Sequence, residues 1–500
     1  MAPPGSVYTR AQVGMDAPLV TVETHLQPGT PAFILVGLPE SALRESRIRV
    51  KSAIQNSGYG YPDRRVVVNL APADLAKDGT RYDLAIALGI LAASGLLKAG
   101  LLDGFEFLGE LGLYGELREV RGVLSAALAA SNAGRTIMVP AASLISLRGN
   151  TRNVIGVSSL REAVDVIRGK PPATTPDTPA GTVPEPPPVY PQIVGQQLAK
   201  RALAVAAAGA HHLLMIGPPG AGKTMLARAI PELLPALDVT EAVEVAAVYS
   251  AAGLPPPPAG RPPMRSPHHT ATAAAMIGGG PYAFPGEISL SHRGILFLDE
   301  MPHFAPAVLD HLREPLQTGE IHLARVRYRV RYPASFQLVA AMNPCPVGRT
   351  CKRETCRCSA QERMRYQRRI SGPLLDRIDL HVRVPELSGR EIAGRDGNAG
   401  ATAPRDAIGA CRRLQMARQG VLNAALEPEA LRRHAALSPA ARTLLLAAVD
   451  RQHLSARSYD KILRLARTVA DLAVSETIEP VHAAEALSYR SLDWENGVTG

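Results

Sequence analysis

One octapeptide limits what this chain can fold into. Gly217-Pro-Pro-Gly-Ala-Gly-Lys-Thr224 follows a short apolar run, His211–Ile216, and precedes a helix-forming stretch, Met225–Ile230. Strand, glycine loop ending in Lys-Thr, and helix, in that order, make the P-loop or Walker A pattern. Gly217, Pro218, Pro219, Gly220, Ala221 and Gly222 form a cradle whose backbone N–H groups face a phosphate at the positive end of the helix. Lys223 then reaches the β- and γ-phosphates of ATP, and the Thr224 hydroxyl ligates Mg²⁺. A plain Gly-Pro turn between strand and helix accounts for neither the Lys-Thr pair nor its flanks.

Such a site needs a carboxylate on the metal and a base for water, each delivered by the end of a buried strand. Gly294-Ile-Leu-Phe-Leu-Asp299-Glu300 supplies both: the four apolar residues predict a parallel strand, Asp299 meets Mg²⁺ through water, and Glu300 polarises the attacking water. A third apolar run, Phe336–Met342, ends at Asn343, a side chain suited to sensing the γ-phosphate. An Asn-Pro at a strand end is on its own more often a turn, and the order of the three strands favours the sensor.

Length and composition frame these motifs. At 500 residues the chain has room for about three domains. The longest apolar run, Leu84–Leu97, lies between Asp83 and Lys98 and is too short to span a bilayer, so a cytoplasmic protein with no membrane partner is expected. A Pro-rich stretch over 169–191 reads as an extended linker after an N-terminal domain at 1–168. An α/β region follows at 192–387, then a Gly- and Ala-rich break at 388–404, then helical patterns at 405–424, 427–434, 438–450, 458–475 and 479–488 within 405–500.

Net charge is +10, and between Glu320 and Ile370 stand 12 Lys and Arg against 3 Glu, so nearly all of the excess sits in one tenth of the chain. That concentration suits a phosphate backbone, with a solvated basic face as the alternative. Arg325, Arg327, Arg329 and Arg331 alternate with Val326, Tyr328, Val330 and Tyr332, so an extended strand presents all four cations on one face. Four of the five cysteines, Cys345, Cys351, Cys356 and Cys358, fall close together. Four thiolates satisfy a tetrahedral Zn²⁺ site, but the spacing lacks paired C-x2-C knuckles, and reduced unmetallated thiols are the other reading.

Together the motifs resemble the AAA+ ATPases, specifically the magnesium-chelatase-like branch that includes the YifB/ComM family. The marks of that branch stand here as Arg265-Ser-Pro-His-His-Thr270, Gly278-Gly-Gly, Pro285-Gly-Glu-Ile-Ser-Leu-Ser-His292, Asn343-Pro-Cys-Pro and Ser371-Gly-Pro-Leu-Leu-Asp-Arg-Ile-Asp379. The resemblance implies an α/β fold: an AAA+ core with a parallel sheet covered by helices on both faces, and a C-terminal helical lid. It implies that Arg377 is an arginine finger acting on a neighbouring subunit, that Arg464 is the sensor 2 arginine of the lid, and that the basic stretch is a hairpin facing a ring pore. ComM-like proteins are homo-hexameric ATP-driven motors that promote branch migration of DNA, so DNA and recombination proteins are the expected partners. A chelatase-type subunit driving metal insertion through a partner protein is the alternative. Where YifB-like chains usually carry Cys-Pro-Cys-Gly, this one has Cys345-Pro-Val-Gly348, and Cys351 stands in for the missing ligand.

Residues 1–168 resemble the Lon-protease fold, an α+β (ribosomal S5 domain 2-like) unit. Arg81 stands where active members of that fold place the nucleophilic serine, two residues after Lys77-Asp-Gly, and Leu124 stands where they place the lysine. Without nucleophile or amine, Ser-Lys proteolysis has no chemical basis, so His25, Lys77 and Asp83 read as fold residues.

Overall fold

The computed structural model describes residues 6–75, 77, 79–147, 151, 153–172, 187–280, 282–324, 329–348, 356, 358–387 and 403–490. Five short strands form a parallel sheet in the order Met264–Arg265, Ile295–Leu298, Gln337–Met342, Leu213–Ile216, Leu380–Arg383. The three central strands are buried along their whole length, which is why each reads as an unbroken apolar run. Strand alternation then divides their side chains between two cores. Leu213, Met215, Ile295, Phe297, Val339 and Ala341 join one core with residues of the helices Gln197–Gly209 and Lys223–Leu233 and of the C-terminal helices. Leu214, Ile216, Leu296, Leu298, Leu338 and Ala340 join the other, with Phe304, Leu309, Leu312 and Leu374. Both faces are therefore covered, as an α/β fold requires.

The N-terminal unit is built on a seven-stranded mixed sheet, ordered Ala32–Val36, Arg65–Ala71, Leu19–Gln27, Ser6–Arg10, Phe105–Phe107, Thr136–Pro140, Val154–Val157. The helix Asp83–Ala93 is buried from Asp83 through Leu91 and packs on that sheet. Asp83, at its N-terminus, accepts hydrogen bonds from Ser46 Oγ at 2.7 Å and Arg49 Nε at 2.8 Å. Lys77 donates to the carbonyls of Leu75 and Pro72, and His25 lies exposed on its strand.

The two units share apolar surface. Helix Val239–Ala252, opened by a capping box between Asp238 and Glu241, puts Ala246 and Ala247 into one cluster with Leu124 and Ala127 of the helix Val123–Asn132. The Ser250 carbonyl accepts from Gly122 N at 2.9 Å, and its hydroxyl accepts from Leu124 N at 3.2 Å. Residues 13–15 rest against the strand Arg329–Pro333: a Cβ built on Gly14, whose φ is +63°, would come 2.1 Å from Val330 Cγ1. Within the end of the Pro-rich stretch, where an extended linker was expected, Tyr190 is buried in the core of the parallel sheet, and Glu232 accepts from Val189 N at 2.6 Å and Tyr190 N at 3.0 Å.

C-terminal helices span Arg405–Gln419, Pro428–His434, Pro439–Gln452, Ala456–Leu472 and Pro480–Ser488. The first ends at Gly420, whose positive φ of 74° stops the helix before the expected residue 424. Ser438 and Ser455 cap two others, accepting from Ala441 N and Ser458 N. No helix among the described residues is long and apolar enough to cross a membrane.

Polar groups stitch the last helices to the sheet. His211 reaches Asp379 at 3.3 Å and Thr468 at 2.7 Å, and Arg418 grips both oxygens of Asp471 at 2.7 and 2.9 Å. Beside them the buried Lys461 Nζ has no hydrogen-bond partner. Burial lowers its pKa to about 8, against an upward pull from Asp379. A depressed amine gives up its proton more readily in the folded chain than in the unfolded one. Its contribution to stability is thus present above the unfolded pKa and is lost as pH falls through about 8. Lys461→Met is expected to raise stability at pH 7 by on the order of 1–3 kcal/mol and to flatten the gain between pH 8 and about 10. Thermal melts across that range check it, and a lower melting temperature at pH 7 refutes the assignment.

Candidate nucleotide site

Three adjacent strands of the parallel sheet end at one place, and each delivers polar groups there. Gly217 leaves the strand Leu213–Ile216 with its N–H on Met342 O at 3.2 Å, which ties the loop to the neighbouring strand. Gly220 and Gly222 hold φ of 86° and 88°, so the chain curls in the left-handed region that glycine enters without strain, and a Cβ on either would meet nothing. The helix Lys223–Leu233 starts directly after this turn.

Lys223 is buried, and its Nζ donates to Gly217 O at 2.7 Å, Pro218 O at 2.8 Å and Asn343 Oδ1 at 3.1 Å. The last bond joins the loop to the end of the strand Gln337–Met342, where sequence placed a γ-phosphate sensor. Burial lowers the pKa of Lys223, with Asp299 and Glu300 pulling it back up. Thr224 Oγ1 donates to Asp299 Oδ2 at 2.7 Å, so a hydroxyl and a carboxylate oxygen sit side by side. The other oxygen of Asp299 accepts from Glu300 N at 2.9 Å. Glu300 has a φ of 50°, a left-handed conformation that costs a non-glycine residue about 1–2 kcal/mol, and its half-exposed side chain points away from the packed core.

These groups fit a magnesium nucleotide. Two hard oxygen donors lie in contact, a buried ammonium rests on carbonyl oxygens that a phosphate can replace, and the glycine turn leaves its outer side open.

Two further arginines share no hydrogen bond with this cluster. Arg377 follows the short helix Gly372–Leu375 and donates to Pro373 O at 2.8 Å and Gln317 Oε1 at 2.9 Å. Its Nε is buried without a partner, and burial together with Arg457 and Arg313 lowers its pKa. Arg464, on the helix Ala456–Leu472, donates to Leu426 O at 2.8 Å. None of these bonds involves Lys223, Thr224, Asp299 or Glu300.

Sequence reasoning overlooked several neighbours. His269 Nδ1 lies 3.9 Å from Glu300 Oε2, and its ring is 4.2 Å from that of His268 and 5.9 Å from that of His303. Gln196 donates to Ala221 O at 3.3 Å and Pro385 O at 2.7 Å, bracing the phosphate loop. The Arg265–Thr270 segment pointed at the first of these; Gln196 sits in an ordinary helical approach with no motif to mark it.

The basic stretch does form a hairpin. Glu320–Ala324 pairs antiparallel with Arg329–Pro333, and Ala324 faces Arg329. Arg329 and Arg331 are exposed while Val330 and Tyr332 are buried, so the alternation holds where it can be followed. Arg331 reaches Glu320 at 3.2 Å. Arg325 and Arg327 lie outside the described residues. Cys345, Cys356 and Cys358 bring their sulfurs within 4.8 Å of one another, and Cys351 lies outside the described residues.

A parallel sheet with helices on both faces, a glycine loop after the strand beside the central one and acids on the strand at its other side define a magnesium-chelatase-type AAA+ protein. Residues 190–392 match the family described as magnesium chelatase, subunit ChlI; residues 22–143 match subunit ChlI of Mg-chelatase; residues 400–490 match its C-terminal part. The chain is 44% identical to competence protein ComM of Haemophilus influenzae and 43% identical to YifB of Escherichia coli, covering 97% of itself and of each relative. The 38 kDa magnesium-chelatase subunit of Rhodobacter capsulatus is 31% identical over 31% of this chain and 51% of its own length. The chain belongs to the YifB/ComM family, and that membership carries ATP and Mg²⁺ use with it.

Gly217 cannot be enlarged as its neighbours can. A Cβ there would lie 2.1 Å from Val384 O, a backbone atom with nowhere to go. Gly217→Ala is expected to cost about 1–3 kcal/mol and to weaken nucleotide binding, while Gly220→Ala adds only backbone strain. Melting curves with and without ATP separate the two; equal effects would remove the crowding argument.

Proposed function

We propose that this protein is an ATP-hydrolysing motor that acts on DNA as a ring of identical subunits, most simply a hexamer, in the manner of a ComM-type branch-migration helicase. The observation that carries the catalytic half is the convergence of Lys223, Thr224, Asp299 and Asn343 at the ends of three neighbouring strands. Lys223 exchanges its carbonyl partners for the β- and γ-phosphates. Thr224 and Asp299 hold Mg²⁺, which when bound offsets phosphate charge. Glu300 orients a water and accepts its proton at the carboxylate, and Asn343, already bonded to Lys223, registers the γ-phosphate. Arg377 supplies its cation to the adjoining protomer's site, and Arg464 acts from the lid of its own.

Glu300→Gln is expected to lower turnover by about 10²–10⁴-fold with nucleotide binding kept, and Lys223→Ala to abolish it. Arg377→Ala is expected to bind ATP normally and to lose about 10³-fold or more in rate. Mixing Arg377→Ala with Lys223→Ala chains rebuilds some complete sites if the arginine acts in trans, so activity must return on mixing. No recovery sinks that assignment.

The DNA half rests on the exposed arginine face of the hairpin and on 44% identity to a protein named for competence. ATP turnover of the full chain is expected to rise with single-stranded or branched DNA and to lose that stimulation with added salt. Replacing Arg329 and Arg331 by Ala is expected to flatten the salt dependence by roughly 0.7 per lost phosphate contact on single strands. Turnover indifferent to DNA would instead favour a chelatase-type role. Proteolysis plays no part in this reading, since Arg81 and Leu124 hold the positions of a serine and a lysine, and Leu124 is fully buried. Recombination proteins and a cytoplasmic setting suit the same role.

The converging thiols of Cys345, Cys356 and Cys358, with Cys351 as fourth donor, suit Zn²⁺ as a soft tetrahedral site. Protein purified without added metal is expected to hold about one zinc per chain, and Cys356→Ser to lose it. Four freely titrating thiols with no metal overturn this.

A further inference from the structure

Two residues beyond Asn343 the chain reaches Cys345, and the turn that follows lies against the phosphate loop. Cys345 Sγ accepts from Gly348 N at 3.3 Å, which closes the turn 345–348 on the sulfur. Gly348 holds a φ of 67°, and a Cβ built on it would stand 3.0 Å from Pro219 Cγ and 3.4 Å from Asn343 Nδ2. The turn is thus packed against both the proline of the phosphate loop and the side-chain amide of Asn343, whose Oδ1 accepts from Lys223 at 3.1 Å. One sulfur therefore holds a turn that touches two parts of the nucleotide site.

That sulfur also belongs to the thiol cluster. Cys345 and Cys358 are buried, Cys356 is half-buried, and the three sulfurs lie within 4.8 Å of one another. Sulfurs that share a tetrahedral Zn²⁺ stand about 3.8 Å apart, so uptake of the ion draws them together by up to about 1 Å. At the far end the cluster is anchored: the Cys358 carbonyl accepts from Arg363 Nη1 at 3.1 Å, and Ser359 caps the helix Ala360–Gln367. At the near end Gly348, bonded to the Cys345 sulfur and hemmed by Pro219, has little room to absorb a shift. Thiol ligation fixes the turn from one side, and a bound phosphate fixes Pro219, Lys223 and Asn343 from the other. Both ligands order the same short stretch of backbone, and whichever binds first lowers the ordering cost left for the second.

We infer that zinc binding at these thiols and nucleotide binding at the phosphate loop are linked, each tightening the other through the contact of the turn 345–348 with Pro219 and Asn343. This coupling rests on the zinc and nucleotide readings above and adds a dependence that neither contains. Linkage is reciprocal, so the factor by which nucleotide tightens zinc equals the factor by which zinc tightens nucleotide.

The test measures zinc affinity of the full chain by competition with a chelating dye, with and without a non-hydrolysable ATP analogue and Mg²⁺. Affinity for a fluorescent form of the analogue is then measured with zinc in place, after its removal, and after zinc is restored. Each ligand is expected to tighten the other about fivefold or more, by the same factor in both directions. Lys223→Ala is expected to keep its zinc and to lose the effect of the analogue on zinc affinity. Pro219→Ala removes the ring from the contact and leaves every thiol in place; it is expected to hold zinc and to bind nucleotide, with both factors at least about twofold closer to one. Zinc and nucleotide that both bind with neither affinity altered by the other overturn the coupling and leave the two readings intact, as does a nucleotide that loosens zinc. Full coupling in Pro219→Ala overturns the contact as its carrier. A chain that takes up no zinc overturns the coupling together with the zinc reading, and one that holds zinc but binds no nucleotide overturns it together with the nucleotide reading.

Discussion

Lys223 is a buried cation whose hydrogen-bond partners are oxygens of its own loop and of one asparagine, with no carboxylate among them. A charge left in that state is solvated just well enough to stay in place and is ready to exchange those dipoles for phosphate oxygens. Everything around it serves that condition. The strand Leu213–Ile216 must be buried to fix the loop's root, the glycines must turn left-handed to aim it, and the strand Gln337–Met342 must lie alongside to bring Asn343 within 3.1 Å. The two separate apolar cores on either face of the sheet hold these strand ends in register.

The same sheet explains why the N-terminal unit is no loose appendage. Helix Val239–Ala252 is anchored to the sheet side by Glu244, which accepts from His292 Nε2 at 3.1 Å and Arg293 Nε at 3.0 Å. The same helix gives Ala246 and Ala247 to the cluster shared with the helix that carries Leu124. Gly14 meanwhile sits against Val330, directly between the exposed Arg329 and Arg331. The base of the hairpin therefore meets the N-terminal unit through close-packed atoms, a contact in which even one added methyl group has no room.

Legibility in the sequence followed locality. Walker A, the Asp299-Glu300 strand and the lid helices were readable because strand burial, glycine turns and helical periodicity are written in contiguous residues. Gln196 was not readable, because its importance lies in a hydrogen bond to Ala221 that only the folded chain creates, and the Arg265–Thr270 pattern marked the segment of His269 without its approach to Glu300. Tyr190 was hidden for a related reason: proline-rich flanks read as linker, yet its ring finds a place in the core and Glu232 takes the two adjacent N–H groups. Arg81 stands out in the sequence as an arginine where a serine nucleophile would be, but its contacts with Gln12 and the Arg121 carbonyl arise from a union of distant segments that no local pattern encodes.

Arg377 shows how an incomplete interaction can argue for assembly. Its own chain gives it two acceptors, Pro373 O and Gln317 Oε1, and leaves Nε buried and unpaired while Arg313 and Arg457 stand close enough to lower its pKa. Three like charges gathered on one side of a folded chain repel one another, and Asp376 offsets that only in part. A dense anion would relieve that repulsion, and among the described residues none of the three is bonded to the chain's own phosphate loop. A nucleotide held by a neighbouring copy is the polyanion that the proposed ring brings to this face, so the cation cluster and the ring each make sense of the other.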